Sequence, residues 1–215
     1  MKAALLLLTC DRPDLTQRTV DSLLRHVDLT RFMLLHGDDC SASKKNCDIA
    51  RMAGFKTVLR TENRSGVGYM WSNLVKLAAL QGADWVVMQE NDWEWVRPFP
   101  FDALEYAHQR DDLYYIRFFG KYRERDNQRP CNPKHMAKGT TPVWSKFNNG
   151  WQTGDIHWGF PANATKIDEA LFLTKGIKAE GCARKRSAQI KKLVMRPEEN
   201  YQFHIGDERT PGFIA

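Results

Sequence analysis

The chain predicts an α/β fold, a mostly parallel sheet flanked by helices, and three observations carry that prediction. Short apolar runs alternate with amphipathic stretches over residues 3–90, and each run ends in a polar cluster rich in Asp, Asn or Glu. The chain also has 215 residues, 42% hydrophobic and 27% charged, which is enough to bury one core of that kind.

The first apolar run, Ala3–Thr9, is continuous, as a strand covered on both faces must be. It is far too short to span a bilayer, and it runs straight into Asp11 and Arg12, unlike a secretory leader. Asp14 to Val27 follows with Leu15, Val20, Leu23, Leu24 and Val27 at helical spacing and Asp14 as N-cap. Arg31–His36 reads as a second strand, with a helix near Ser43–Met52 after the turn Gly37-Asp38-Asp39-Cys40-Ser41. Phe55–Arg60 gives a third strand, and Glu62-Asn63-Arg64-Ser65-Gly66 leads into a helix over Val67 to Leu80. Asp84–Gln89 is the fourth strand, ending in Glu90-Asn91-Asp92-Trp93-Glu94. Strands alternating with helices in this way build a parallel sheet through right-handed crossovers. Ligands of such sheets bind outside the carboxyl ends of the strands, where every one of these polar clusters falls.

Later in the chain, Leu113–Phe119 reads as a fifth strand, Gly120 to Gly150 as a polar stretch without periodicity, and Lys166–Leu173 and Ala179–Leu193 as helices. The expected organisation is a single domain, with residues 1–119 as its sheet-bearing part and 120–215 as a C-terminal extension. Residues 1–110 carry 14 basic and 14 acidic side chains, so the net charge of +6 falls wholly in the second half and favours an acidic partner there. The basic stretch that includes Arg184 and Lys185 is either a solvated helix face or a phosphate footprint. Five cysteines without a C-x-x-C pair argue for free thiols in a reducing compartment and against a zinc site. A soluble, cytoplasmic protein with no membrane partner is expected.

The sharpest chemical signal is Glu90-x-Asp92 directly after an apolar strand. Two carboxylates two positions apart at a strand end can reach one hard divalent cation, which in turn bridges diphosphate oxygens. His204, in His204-Ile205-Gly206, is either a third ligand beside those carboxylates or a histidine packed at a terminal turn. The tryptophans, among them Trp93, Trp151 and Trp158, are core residues or aromatic faces for a sugar or an unpaired base.

The order LLLLTCDRPD, LLHGDDCS, ENRSGVGYMWSN, VVMQENDWEW resembles the nucleotide-sugar-binding half of the GT-A (Rossmann-like) glycosyltransferases, especially the inverting family-two group, over roughly residues 3–119. The resemblance implies that Thr9, Asp11 and Arg12 line the nucleotide pocket and that Asp38 or Asp39 holds the uracil or ribose. It also implies that Asn63 and Gly66 edge the sugar diphosphate, with residues 1–119 as the nucleotide-sugar-binding part of a single GT-A domain and 120–215 as its acceptor-binding and metal-completing part. Glu90, Asn91 and Asp92 stand where the family has its D-x-D element. Asp92 is then the direct ligand of Mn²⁺ or Mg²⁺, completed by His204, while Glu90, in place of the usual Asp, touches the metal or the ribose. Glu180 stands roughly where the family places its catalytic base, and Asp155 competes for that role. Size, charge and the stretches Q-E-N-D-W and H-I-G-D-E-R-T are also similar to small phage-encoded glycosyltransferases that modify hydroxymethylcytosine in viral DNA, including those associated with TET-type oxygenases. That similarity implies a UDP-sugar donor, DNA as acceptor and a host-cytoplasmic setting. Trp93, Trp151, His157, Trp158, Arg184 and Lys185 are then the acceptor-binding candidates.

Other functions leave other marks. A nucleotidyltransferase carries a Gly-rich G-x-G-T-R-like loop after the first strand, and Thr9-Cys10-Asp11-Arg12-Pro13 has none. A glycan- or capsule-building enzyme of the same fold shares the donor signals and differs in its acceptor. A non-catalytic nucleic-acid module shares only the basic half.

Overall fold

The computed structural model describes residues 1–118, 145–147, 150–154, 163–175, 186–187 and 189–206. Its elements, in chain order, begin with β1 (Ala3–Thr9), α1 (Pro13–His26), β2 (Phe32–Asp38), α2 (Lys45–Met52), β3 (Lys56–Arg60), α3 (Val67–Leu80) and β4 (Trp85–Glu90). There follow β5 (Trp93–Trp95), α4 (Phe101–His108), β6 (Leu113–Arg117), β7 (Ser145–Phe147), β8 (Trp151–Gly154), β9 (Asn163–Lys166), α5 (Ile167–Thr174), β10 (Leu193–Pro197) and β11 (Gln202–His204).

Nine strands form one sheet in the order β3-β2-β1-β4-β9-β6-β10-β8-β7. The first four are mutually parallel, β9 runs antiparallel to both β4 and β6, and β10 is again parallel to β6. Only β8 and β9 therefore oppose the common direction. β1 is buried at all seven residues, and its side chains divide as the pleat requires. Leu5 and Leu7 join α1 and α4 on one face, whereas Ala4, Leu6 and Leu8 join α3 and α5 on the other. At Gly37 in β2 a Cβ would stand 3.0 Å from Met70 Cε and 3.1 Å from Leu74 Cδ1, so glycine lets α3 lie close on the sheet.

The local differences from the sequence reading have physical causes. α1 starts at Pro13, one residue before the expected N-cap Asp14, because proline needs no intrahelical donor at the first position. Asp14 instead lies in the first turn, where a carboxylate suits the helix dipole. The helix expected over Ala179–Leu193 does not extend through its described end: Leu193 begins β10, which pairs with β6 and β8. Here tertiary pairing of Val194 and Met195, both buried, overrides helical spacing. Among the described residues no helix is long and apolar enough to cross a membrane. Cys10, Cys40 and Cys47 are free thiols, and burial pushes the Cys10 thiol up to about 11 against the pull of Arg64.

Beneath the carboxyl ends of β1 and β2 lies a buried polar chain. Thr9 Oγ1 donates to Asp38 at 2.8 Å, so the proton between Thr9 and His36 Nε2, 2.9 Å away, belongs to the imidazole, and His36 Nδ1 accepts from Thr57. Burial holds the His36 imidazole down at about 4, against the charge of Asp38. The unfolded chain binds this proton near pH 6.5, so between pH 6.5 and 4 the unfolded state carries more protons and stability falls as pH falls. Urea unfolding should lose about 2 kcal/mol between pH 7 and pH 5 from this residue alone. A His36→Gln variant should show a correspondingly flatter profile, and an equal slope in both proteins would remove His36 from the account.

Candidate functional site

The carboxyl ends of β1, β2 and β4 and the C-terminal strand β11 come together at one edge of the sheet. The chain leaves β1 through Asp11 and Arg12, both left-handed, with φ of 50° and 51°. Such residues are costly away from glycine and point to a turn held in place by its surroundings. The carbonyl of Asp11 accepts from Asn91 and Asn46, its amide donates to Ser41 Oγ, and its carboxylate accepts from the Ala42 amide and from Arg64 at 2.6 Å. The Ala42 amide, followed by Arg64, holds the Asp11 carboxyl below the usual carboxylate range. Asn91 also reaches Thr16 Oγ1, so it ties the loop after β4 to the first turn of α1.

Asp38 is fully buried, receiving Thr9, Ser41 and Arg60. Asp39 gathers the loop before α3: Oδ1 accepts from Thr61 Oγ1 and from the amide and hydroxyl of Ser65, and Oδ2 accepts from the amide of Gly66, the α3 N-cap. Both carboxylates are therefore engaged with the protein's own donors. The amides of Ser65 and Gly66, just ahead of α3, serve Asp39, and cationic side chains stand near the same strand ends. Arg12, Arg60 and Arg64 supply them, with side chains 31%, 37% and 46% exposed.

At the other end of the crevice Asp92, only 8% exposed, accepts from Arg12 Nη2 at 2.9 Å and lies 3.4 Å from His204 Nε2, both through Oδ2. Burial alone would push the Asp92 carboxyl up, but His204 and Arg12 outweigh it and hold it below the usual range. Its other oxygen, Oδ1, is buried and has no hydrogen-bond donor among the described residues. The amide of Ile205 donates to the Asp92 carbonyl at 2.8 Å, and Gly206 packs on the pair. A Cβ on Gly206 would stand 2.7 Å from Asp92 Oδ2 and 2.9 Å from both Asp92 Cβ and Arg12 Nη1.

Of the expected metal set, Asp92 and His204 stand side by side, and Glu90 does not join them in a cluster. Among the described residues no three His, Cys, Asp or Glu side chains form a cluster fit for a metal. β4 ends at Glu90, and the chain turns at Asn91 and Asp92, so the strand spacing that would put both carboxylates on one face no longer applies. What remains is a buried carboxylate oxygen without a donor and an imidazole beside it. A hard carboxylate oxygen and an imidazole are the kinds of ligand that would suit Mn²⁺ or Mg²⁺.

The remaining candidates fall in varied places. Asn63 is exposed on the loop before α3, and Gly66 is partly exposed. Trp93, expected to face an acceptor, is wholly buried and edge-on to His204, so it forms wall rather than surface. Trp151 is 6% exposed and stacks on Tyr201. Asp155, His157, Trp158, Glu180, Arg184 and Lys185 lie outside the described residues. Sequence reasoning missed Ser41, Ser65 and Gly206, which act through position; the one available signal was Gly206, directly behind His204-Ile205.

Among the described residues, nine strands in a mostly parallel sheet flanked by helices give the chain a GT-A fold. Solved structures agree at the level of fold. Staphylococcus aureus TarS, residues 1–349, matches with a TM-score of 0.63 at 15% identity, over 96% of this chain and 61% of that one. The same TarS segment in complex with UDP matches with a TM-score of 0.62 at 15% identity, over 94% and 60%. The mannosyltransferase PcManGT from Pyrobaculum calidifontis, in complex with GDP-Man and Mn²⁺, gives 0.63 at 14% identity, over 97% and 58%. The chain thus spans about six-tenths of the length of these structures. Its sequence matches no protein-family model and no curated protein.

Proposed function

We infer that the chain is a glycosyltransferase that takes a sugar from a UDP-sugar and passes it to an acceptor hydroxyl with inversion. One observation carries this reading: at the open end of a GT-A sheet, buried Asp92 keeps one oxygen without a donor while Arg12 and His204 crowd the other. The fold neighbours hold UDP in one case and GDP-Man with Mn²⁺ in another, which supports this donor class and a divalent cation. Asp92 and His204 would hold the Mn²⁺ or Mg²⁺, whose positive charge offsets the charge building on the departing diphosphate. Arg12 and Arg64 add fixed positive charge along the crevice. Asp39 holds the loop at the start of α3 against the nucleotide side, and the Thr9, His36 and Asp38 chain gives that side a rigid floor. Glu180 or Asp155 would take the acceptor proton.

The acceptor is a hydroxymethylcytosine in DNA. The sequence resemblance and the basic excess beyond residue 110 support it. The test is incubation with Mn²⁺ and labelled UDP-sugars beside plain DNA, hydroxymethylated DNA and an oligosaccharide, read by mass spectrometry. Hydroxymethylated DNA alone should gain one sugar. A gain on the oligosaccharide would reassign the acceptor, and no gain together with no UDP release would overturn the reading.

Gly206 gives a sharper local test. In Gly206→Ala the flexible Arg12 side chain can swing aside, but Asp92 Cβ is fixed to its backbone and cannot. The donor KM should rise at least about tenfold, the scale seen when groups beside a metal ligand are disturbed, and stability should fall as the backbone shifts to relieve the contact. An unaltered KM would place the donor elsewhere.

A further inference from the structure

Among the described residues β11 belongs to a two-stranded sheet with β5, in the register Gln202 to Trp95, Phe203 to Glu94 and His204 to Trp93. Two isolated strands are marginal in water, and a slip of one residue would turn every side chain of β11 to its other face. The slip would matter, because Gln202 and His204 share a face and His204 must meet Asp92. Backbone bonds from the Tyr201 and Gln202 amides to the Phe118 carbonyl hold the entry of β11, and beside them a buried side-chain junction opposes the slip. Gln89, on β4 of the main sheet, donates through Nε2 to the carbonyls of Glu90 at 3.0 Å and Trp93 at 2.8 Å. Its Oε1 accepts from Trp95 Nε1 at 2.9 Å and from Gln202 Nε2 at 2.7 Å. Gln89 and Gln202 are both 0% exposed. The neighbouring strands β4 and β5 and the distant β11 thus meet on one amide.

The junction is not what stability alone would select. Gln202 Oε1 is buried without a hydrogen-bond partner among the described residues, and an apolar side chain of the same length would avoid that loss. A buried polar contact kept at such a cost is the kind of device that specifies register.

We propose that Gln202 is a positioning residue: through Gln89 it sets the register of β11 on β5 and so brings His204 and Gly206 onto Asp92. The polarity of the contact is directional. Gln89 Nε2 is engaged with two backbone carbonyls, so only a donor at position 202 satisfies Gln89 Oε1 from that side. Gln202→Glu therefore does not substitute, and Gln202→Asn falls one methylene short.

The functional part of this inference rests on the proposed glycosyltransferase reading; the register part does not. The test compares the wild-type chain with Q202M, measuring thermal unfolding, amide hydrogen exchange at Ile205, whose N–H meets the Asp92 carbonyl, and Mn²⁺ affinity. Q202M should unfold at the wild-type temperature or above, yet exchange the Ile205 amide at least about tenfold faster and bind Mn²⁺ about 10- to 100-fold more weakly. Unchanged exchange at Ile205 in a folded Q202M would overturn the proposal. If Q202M does not fold, Q202N carries the same expectations for exchange and Mn²⁺ affinity and the same overturning result. A wild-type chain that binds no Mn²⁺ and uses no UDP-sugar defeats the enzymatic reading, while the exchange comparison still decides the register claim.

Discussion

Asp92→Ala should reduce sugar transfer at least about 10³-fold, because a bound cation contributes several kcal/mol against diphosphate charge and each 1.4 kcal/mol is tenfold in rate. The fold should survive. The Asp92 backbone keeps its bond from Ile205, and the Arg12 side chain, 31% exposed, can turn to solvent once its partner is gone. Melting should therefore drop by no more than a few degrees, since about 1 kcal/mol shifts a chain of this size by roughly 2 to 4 °C. Asp92→Asn separates charge from shape: it keeps an oxygen for Arg12 but loses the negative charge, and it should be nearly as inactive as alanine. Steady-state kinetics beside a thermal melt reads both outcomes, and near wild-type turnover in either variant would take Asp92 out of the chemistry.

Asp39→Ala should produce the largest loss of stability among single substitutions at the crevice. Its carboxylate satisfies two hydroxyls and the amides of Ser65 and Gly66 while itself 5% exposed. Alanine leaves those donors in a space closed to most solvent, at an expected cost of about 3 kcal/mol. Asp39→Asn keeps one accepting oxygen and should cost roughly half as much. Both should weaken donor binding more than they slow the chemical step, because the loop they release lines the nucleotide side. Denaturant titration gives the stabilities, and a loss under about 1 kcal/mol for Asp39→Ala would mean that the start of α3 is held by other contacts.

The parallel half of this molecule was legible because its strands are buried on both faces and its helices carry long apolar stripes. β1 spans Ala3–Thr9 and α3 spans Val67–Leu80, as the apolar run and the helical spacing predict. The antiparallel additions were not legible. β5 and β11 have three residues each, too few for a period to declare itself, and β9 slots between β4 and β6 from far along the chain. β10 was hidden for a different reason, since Ile190, Leu193 and Val194 are spaced like one face of a helix until the partner strands are known. At the site, the polar clusters after each strand predicted one crevice; hydrogen bonds tie Asp11 to the loop of Asn91 and Asp92 and Asp39 to the end of β1, with His204 added beside Asp92 from β11. What spacing alone missed is that carboxylates such as Asp38 and Asp39 hold the crevice together by taking donors from Thr9, Ser41, Thr61 and Ser65. A pairing across distant segments of chain leaves no local pattern.

The central claim is that the Asp92 and His204 end of the crevice holds a nucleotide diphosphate together with a divalent cation. Calorimetric titration of UDP into the wild-type chain and into Asp92→Ala, each with Mn²⁺ and with chelator, tests it most directly. Binding should appear with Mn²⁺ in the wild-type chain, weaken at least about tenfold in chelator, and vanish in Asp92→Ala. Equal UDP affinity in all four titrations would contradict it.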